Sequence, residues 1–246
     1  RGRRSMSLLI FLQDETSATV ITDTLATDED GQPVFFYDKC VAFPAMNLLV
    51  ATTGYANLLT RWTSELREHV RARDITMLDL HAPEALRRVW ADLRKEFGPV
   101  DGTATIYHFG IDEQTGECRR ITYRSADDFE SEPAAEAGFG VKPPPVSGIL
   151  PTEVDLESLI ALAEGVRAEQ DALPHGERLY IGGDLVMAQI SASGINFTTI
   201  HRFEDQYDAW QAMHGEPPTG IKAVLRRHGV RGDSAADDDS DGGDRP

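Results

Sequence analysis

The chain has 246 residues, of which 41% are hydrophobic and 8% aromatic, a composition typical of one globular domain with a sizeable core. Its formal net charge of −17 argues against a nucleic-acid partner, because phosphate binding needs a basic surface. No run of about 18 apolar residues occurs, which argues against a membrane-spanning helix, and two cysteines are too few for a disulfide framework, so we expect a cytoplasmic protein.

In chain order, the first half of the sequence predicts four strand regions and then two helices. The strand regions are rich in β-branched and apolar residues: Ser7–Gln13, Ala18–Thr24, Val34–Tyr37 with Cys40–Phe43, and Asn47–Thr53. Apolar residues at helical spacing predict a helix over Tyr55–Arg73 and a second helix that begins near Pro83.

The second half predicts a hairpin, a long loop, a helix, two more strands and a last helix. The segment Asp127–Pro151 is acidic and then rich in Gly and Pro, so we expect a loop that covers a cleft or contacts another subunit. The remaining predicted elements are Thr103–Ile111, Cys118–Ser125, Thr152–Asp171, Leu179–Ile190, Ile195–Phe203 and Glu204–Met213.

This order of elements predicts an α+β protein in which two stacked antiparallel sheets lie between helices. We divide the chain into a leader or mis-set start at residues 1–6, one domain over residues 7–230 and a disordered tail over residues 231–246. The tail holds six aspartates and two arginines, and it is too polar to form a core.

Ser7, Asp23 and Lys39 are spaced sixteen residues apart, and Ser7 directly follows Met6. Removal of Met6 by an aminopeptidase that acts before small residues would leave Ser7 with a free α-amine beside its own hydroxyl. Because such an amine has an unperturbed pKa of roughly 7.7–8.0, it can take the proton from that hydroxyl. Lys39 would lower the pKa of the amine by like-charge repulsion, and Asp23 would hold Lys39 in place.

At these residues the chain resembles a known family. The run Ile-Thr-Asp-Thr-Leu-Ala-Thr, from Ile21 to Thr27, and the spacing of Ser7, Asp23 and Lys39 look like those of proteasome β-subunits and their bacterial relatives. These proteins are N-terminal nucleophile (Ntn) hydrolases. The resemblance implies their four-layer αββα sandwich of two antiparallel sheets and a threonine-type peptidase-like mechanism.

The resemblance also implies roles for residues outside the spaced triad. The backbone N–H of Gly54 would form the oxyanion hole. Thr27 and Thr52 would contact an extended peptide or amide substrate, and Asp171 would be an acidic helper near the end of the third long helix. A homo-oligomer, including a ring, is implied as well, whereas an ATPase or accessory partner stays unknown.

Three features depart from the family pattern. Ser7 stands where most members have Thr, and Gly138-Phe139-Gly140 lacks the serine that the family has between its glycines. Residues 1–5 would block the amine of Ser7 if the mature protein retained them, which is why we take Met6 as the true start.

The sequence thus predicts a proteasome-like hydrolase that cleaves peptide or amide bonds with an N-terminal Ser7. One alternative is a catalytically inactive Ntn-fold scaffold or binding protein, and another is an Ntn transpeptidase or ligase in which an amine intercepts the ester intermediate. Each site residue also has an ordinary interpretation: Ser7 as part of a disordered start, Asp23 as a turn cap, Lys39 as a surface residue and Asp171 as a helix end.

No cofactor and no metal ion are expected. The seven histidines and two cysteines lack the spacing of ligand pairs. Cys40 follows Lys39 on a predicted strand, where neighbours face opposite sides, so we expect Cys40 in the core. The pair Gly182-Gly183 predicts a β-bulge.

Overall fold

A computed structural model describes residues 8–28, 31–98, 102–134, 137–148, 150–151, 154–204 and 213. All of them belong to the first of two units of the chain, Arg1–Met213. Ser7, most of the helix predicted over Glu204–Met213 and the acidic tail predicted over residues 231–246 lie outside the described residues.

Two five-stranded antiparallel sheets and a short hairpin make up the β-structure, with strands numbered in chain order. Sheet A has the spatial order β10 (Gly138–Lys142), β1 (Leu9–Gln13), β2 (Ser17–Asp23), β11 (Asp184–Ser191), β12 (Gly194–Arg202). Sheet C has the order β5 (Cys40–Phe43), β6 (Leu48–Thr53), β7 (Thr105–Ile111), β8 (Cys118–Arg124), β9 (Ser131–Ala134). The hairpin, which is sheet B, consists of β3 (Leu25–Thr27) and β4 (Pro33–Phe36).

The helices are α1 (Ala56–Glu68), α2 (Ile75–Asp79), α3 (Ala82–Phe97) and α4 (Leu156–Asp171). The α4 helix begins with a capping box in which Asp155 accepts from the backbone N–H of Ser158, and the Ser158 hydroxyl accepts from the backbone N–H of Asp155. Within the described residues, no helix has the length and apolar character needed to cross a membrane.

Successive side chains along each strand point to opposite faces of the sheet, so the buried apolar side chains form three core layers. On β6, Leu48 and Val50 pack against α1 and α3, whereas Leu49 and Ala51 face sheet A. On β2, Ile21 packs on the side of α4. The layers are therefore α1 and α3, sheet C, sheet A and α4, in that order. This confirms the predicted α+β fold of two antiparallel sheets between helices.

Several predicted boundaries are wrong in informative ways. The segment predicted as a loop, Asp127–Pro151, contains the edge strands β9 and β10. The α4 helix begins at Leu156 rather than Thr152, because Asp155 caps it. No bulge occurs at Gly182-Gly183; the register shift of β11 lies between Leu185 and Val186.

A buried histidine joins α1 to sheet C. The indole Nε1–H of Trp62 donates to Nε2 of His108 at 2.8 Å, and the two rings are stacked with an interplanar angle of 12°. Both side chains are fully buried. Burial lowers the pKa of His108 to about 3, because a charged imidazole would lie in an apolar core and lose the bond from Trp62.

This histidine predicts a pH-dependent stability. An unfolded histidine takes up a proton below its pKa of about 6.5, whereas folded His108 does not do so until about pH 3. The free energy of unfolding therefore decreases as the pH falls from about 6.5 to about 3. Between pH 6 and pH 4 we expect the wild type to lose about 2 kcal/mol more free energy of unfolding than a His108→Gln variant.

Urea unfolding at the two pH values measures this difference. Glutamine keeps an acceptor for Trp62 but cannot titrate, so the comparison isolates the proton. His69→Gln, at an exposed site at the end of α1, is the matched control and should follow the wild type. Parallel losses in wild type and His108→Gln would contradict the assignment.

Candidate functional site

The carboxylate of Asp23 is fully buried and accepts three hydrogen bonds. Its Oδ1 accepts from the ammonium of Lys39 at 2.8 Å and from the backbone N–H of Leu8 at 3.0 Å. Its Oδ2 accepts from the backbone N–H of Gly182 at 3.3 Å. One side chain thus holds three parts of the chain that are distant in sequence.

Strand register explains how these parts meet. Leu9 lies opposite Thr22 in the β1–β2 pair, so Leu8 lies beside Asp23 at the end of β2. Lys39 directly precedes β5, the edge strand of sheet C, and its ion pair with Asp23 therefore connects the two sheets. Gly182 comes just before β11, whose Leu185 is paired with Asp23.

The electrostatics of the pair are set by burial. Asp23 and Lys39 are 0% and 1% exposed, which excludes the interpretation of Lys39 as a surface residue. Burial raises the pKa of Asp23 and lowers the pKa of Lys39, and in each case the attraction of the other group opposes the shift. Such a pair is stable only because each charge is met by the other and by backbone donors.

Ser7 lies outside the described residues. It is joined by a peptide bond to Leu8, and the backbone N–H of Leu8 is held on the same oxygen of Asp23 that binds Lys39. The structure therefore brings together two of the three spaced residues and the immediate neighbour of the third.

Four other predicted site residues are not joined to the pair. Within the part of the chain that the structure describes, no hydrogen bond or ion pair connects Asp23 or Lys39 with this group, which comprises Thr27, Thr52, Gly54 and Asp171. The hydroxyl of Thr52 donates to the carbonyl of Thr105 at 3.0 Å. The backbone of Thr27 is paired with Pro33 inside the β3–β4 hairpin.

Gly54 lies in the turn between β6 and α1 and has a φ of +95°. A Cβ at this position would come within 2.1 Å of the carbonyl oxygen of Thr103. Only glycine fits the conformation and the space, so the turn that sequence reasoning assigned to the oxyanion hole requires a glycine on structural grounds alone.

At the end of α4 the buried polar residue is Gln170 rather than Asp171. The carboxylate of Asp171 is half exposed and lies 3.6 Å from Nε of Arg167. Gln170 is 5% exposed, and its Oε1 accepts from the backbone N–H of Leu179 at 3.0 Å. It thereby fixes the segment that leads to Gly182 and its bond to Asp23.

Sequence reasoning missed the backbone donors of Leu8 and Gly182. The available signal was the pair Gly182-Gly183, which serves a close approach rather than a bulge. Gly183 has a φ of +77°, and a Cβ there would lie 2.4 Å from Oγ1 of Thr24. The carbonyl of Gly182 also accepts from the backbone N–H groups of Thr24 and Leu25, at 3.3 and 3.1 Å.

Neither cysteine competes as a nucleophile. Cys40 and Cys118 are 3% and 1% exposed, and the prediction that Cys40 belongs to the core is confirmed. Burial raises the pKa of both thiols, that of Cys118 to about 12, which keeps them protonated near neutral pH. Among residues that the structure describes, no group of three or more His, Cys, Asp or Glu side chains is placed to hold a metal ion.

Comparisons with known proteins identify the fold. Neither a protein-family model nor a curated protein sequence matches the chain. Solved structures with a similar fold include Anbu from Hyphomicrobium sp. strain MC1, at 10% identity and a TM-score of 0.54, which covers 93% of this chain and 100% of that one. Anbu (ancestral beta-subunit) from Yersinia bercovieri has the same identity and coverage and a TM-score of 0.53. An Anbu (Gly-1) mutant from the Hyphomicrobium strain, also 10% identical, has a TM-score of 0.55 and covers 90% of this chain and 97% of that one.

These findings correct the family assignment made from the sequence. The identification as a proteasome β-subunit-like Ntn hydrolase is wrong, because the matching structures are Anbu proteins at 10% identity and no family model supports membership. A likeness at that identity shows a shared fold and nothing more. The chain has a proteasome-like β-subunit fold, as the Anbu neighbours do.

Proposed function

We propose that this protein hydrolyses peptide or other amide bonds, with Ser7 as the nucleophile after the residues before it are removed. One observation carries the proposal: the backbone N–H next to Ser7 and the ammonium of Lys39 share a single buried oxygen of Asp23. This supports a buried cation near Leu8, where it could act on a free α-amine of Ser7.

The proposed chemistry follows from that placement. The hydroxyl oxygen of Ser7 attacks the substrate carbonyl carbon, and the α-amine of Ser7 takes the hydroxyl proton directly or through a water. The positive charge of Lys39 lowers the pKa of that amine and keeps it unprotonated near neutral pH. The protonated amine then gives its proton to the leaving amine as the amide bond breaks, and water hydrolyses the ester left on Ser7.

Sheet C supplies the proposed substrate contacts. Strand β5 pairs with β6 only from Leu48 to Ala51, so Thr52 extends beyond its partner strand. Continuing that register puts Lys39 beside Thr52, two residues before Gly54. We assign Thr52, and Thr27 on the separate β3–β4 hairpin, to contacts with an extended substrate, and the N–H of Gly54 to the oxyanion. Asp171 is the least supported of these residues, because its carboxylate contacts Arg167 rather than the Asp23–Lys39 pair.

The test combines N-terminal sequencing of the natively expressed protein with turnover of a panel of fluorogenic peptide amides. We expect a mature chain that begins at Ser7 and turns over at least one amide. Ser7→Ala should reduce turnover by about 10³-fold or more, because it removes the nucleophile and leaves only binding and oxyanion stabilisation. Ser7→Thr should retain measurable turnover, since it keeps both the hydroxyl and the amine.

Ser5→Ala is the matched control, because Ser5 would be removed from the mature chain. Full turnover by Ser7→Ala, or by a chain that keeps residues 1–5, would overturn the mechanism. A mature Ser7 chain with no turnover on any amide would favour the inactive scaffold, and transfer of the acyl group to added amines would favour a transpeptidase or ligase.

Assembly and location belong to the proposal as well. We propose a cytoplasmic homo-oligomer, and the support for the assembly is the fold shared with Anbu, an ancestral beta-subunit, from Yersinia bercovieri. Sedimentation velocity of the full chain measures the subunit number, and a monomer at all concentrations would contradict the assembly.

A further inference from the structure

A buried tyrosine between the two sheets has an unused hydroxyl. Tyr107 on β7 is 3% exposed and belongs to the core between sheets A and C. Within the described residues its hydroxyl has no hydrogen-bond partner; Thr53 and Thr105 lie near it without reaching hydrogen-bond geometry. A buried hydroxyl in this state destabilises the folded protein unless a ligand or water meets it.

Two arginines flank this hydroxyl on the same face of sheet C. Tyr107 is paired with Thr122 of β8, so Arg120 and Arg124, two residues to either side, are its diagonal neighbours on that face. Arg124 forms an ion pair with Glu132 of β9. The structure gives Arg120 no ion pair and no hydrogen bond to any residue it describes.

The guanidinium of Arg120 is nevertheless held in place. It lies 4.4 Å from the ring centroid of Phe11 on β1. On β10, a Cβ at Gly138 would come within 3.2 Å of its Nη1. The ring of Phe11 is in turn 6.2 Å from the ring of Tyr107. Arg120 is thus half-buried between the sheets, beside the unused hydroxyl.

We propose that Arg120 and the Tyr107 hydroxyl form a binding site for a carboxylate. A guanidinium can donate two parallel N–H bonds to a carboxylate, and the phenol O–H can add a third donor. Acidic residues outnumber basic ones by 41 to 24 in this chain, so a shortage of acids does not explain the lack of a partner for Arg120.

The position of the site connects it to the proposed function, on which this step rests. Thr53, Thr105 and Arg124 form one cross-strand row, and Thr53 directly precedes Gly54. The carboxylate site therefore lies on the face of sheet C next to the assigned oxyanion turn. We assign to it an acidic side chain, or the C-terminal carboxylate, of a peptide substrate.

Calorimetric titration of the full-length Ser7→Ala variant tests the site without any turnover. The probes are glutarate and glutaramide, which have the same carbon skeleton but differ in charge, and inorganic phosphate. We expect glutarate to bind and glutaramide not to bind. Arg120→Gln and Tyr107→Phe should each weaken glutarate binding, Arg120→Gln by at least about tenfold, the effect of one lost charge-assisted contact.

Tyr107→Phe removes only the unused hydroxyl and should fold at least as well as its parent, so lost binding cannot be ascribed to misfolding. Arg94→Gln, at an exposed site on α3, is the matched control. Equal glutarate affinity in Arg120→Gln would overturn the site, and tighter binding of phosphate than of glutarate would overturn its assignment to carboxylates. Binding without amidase activity in the Ser7 protein would disprove the proposed function and leave the site intact.

Discussion

Replacing Lys39 by methionine is expected to lower the free energy of unfolding by about 3–5 kcal/mol, the usual result of breaking a buried ion pair. Methionine fills a similar volume, so little of the loss would come from a cavity. The loss arises because Asp23, which is 0% exposed, would keep, among donors from the described residues, only the N–H groups of Leu8 and Gly182. Amide turnover should fall with it, since the amine of Ser7 would lose the neighbouring positive charge.

A double-mutant cycle separates the charge from the packing. Asp23→Asn combined with Lys39→Met removes both charges of the pair, so the double variant should be more stable than Lys39→Met alone. Turnover should fall in all three variants, because each removes a group that sets the pKa of the Ser7 amine or holds that group in place. Urea unfolding and amide turnover are the measurements.

Lys95→Met, at an exposed site on α3, is the matched control and should change the free energy of unfolding by less than about 0.5 kcal/mol. A Lys39→Met protein as stable as Lys95→Met would show that the pair contributes little to the fold. A stable Lys39→Met protein with full turnover would exclude Lys39 from the mechanism.

The sequence predicted the two members of this pair but not what surrounds them. A sixteen-residue spacing on successive strands suggested that Asp23 and Lys39 meet, and the residue types indicated an ion pair. The other two donors to Asp23 are backbone N–H groups, of Leu8 and Gly182. Every residue except proline carries such a donor, so side-chain identity contains no signal for them.

The edge strands were missed for a different reason. Strand β9 contains Pro133 and lies at the edge of sheet C, where a missing N–H is tolerated. Strand β10 contains Gly138 and Gly140 and lies at the edge of sheet A. Both lack the alternation of a strand with one buried face, so composition favoured a loop.

The helical spacing of buried residues in α4 did indicate that Gln170, rather than Asp171, faces the core. The buried positions of this helix are Leu159, Ala163, Val166 and Gln170, spaced by three or four residues. Asp171 is one residue further and points away from that stripe by about 100°. Choosing the acidic residue for its chemistry overlooked the periodicity, which places Gln170 on the buried face.

Replacing Gly54 by alanine is expected to destabilise the protein by at least about 3 kcal/mol. A side chain at its φ of +95° costs about 1–2 kcal/mol by itself. The added Cβ would also lie 2.1 Å from the carbonyl oxygen of Thr103, a backbone atom two residues before β7, so the backbone between β6 and β7 would have to shift. A shift of this kind would displace the N–H assigned to the oxyanion, so turnover should fall as well.

Gly98→Ala is the matched control for that prediction, because Gly98 has a φ of +82° and, apart from its own atoms and its chain neighbours, no atom of the described residues lies within 4 Å of where a Cβ would be. Its ψ of −170° belongs to a backbone region essentially limited to glycine, so the variant should lose only that conformational cost, about 1–3 kcal/mol, and keep full turnover. The difference between the two variants in urea unfolding measures the clash with Thr103. Equal losses would mean that the turn after β6 adapts to a side chain, and Gly54 would then be explained by the oxyanion N–H rather than by the fold.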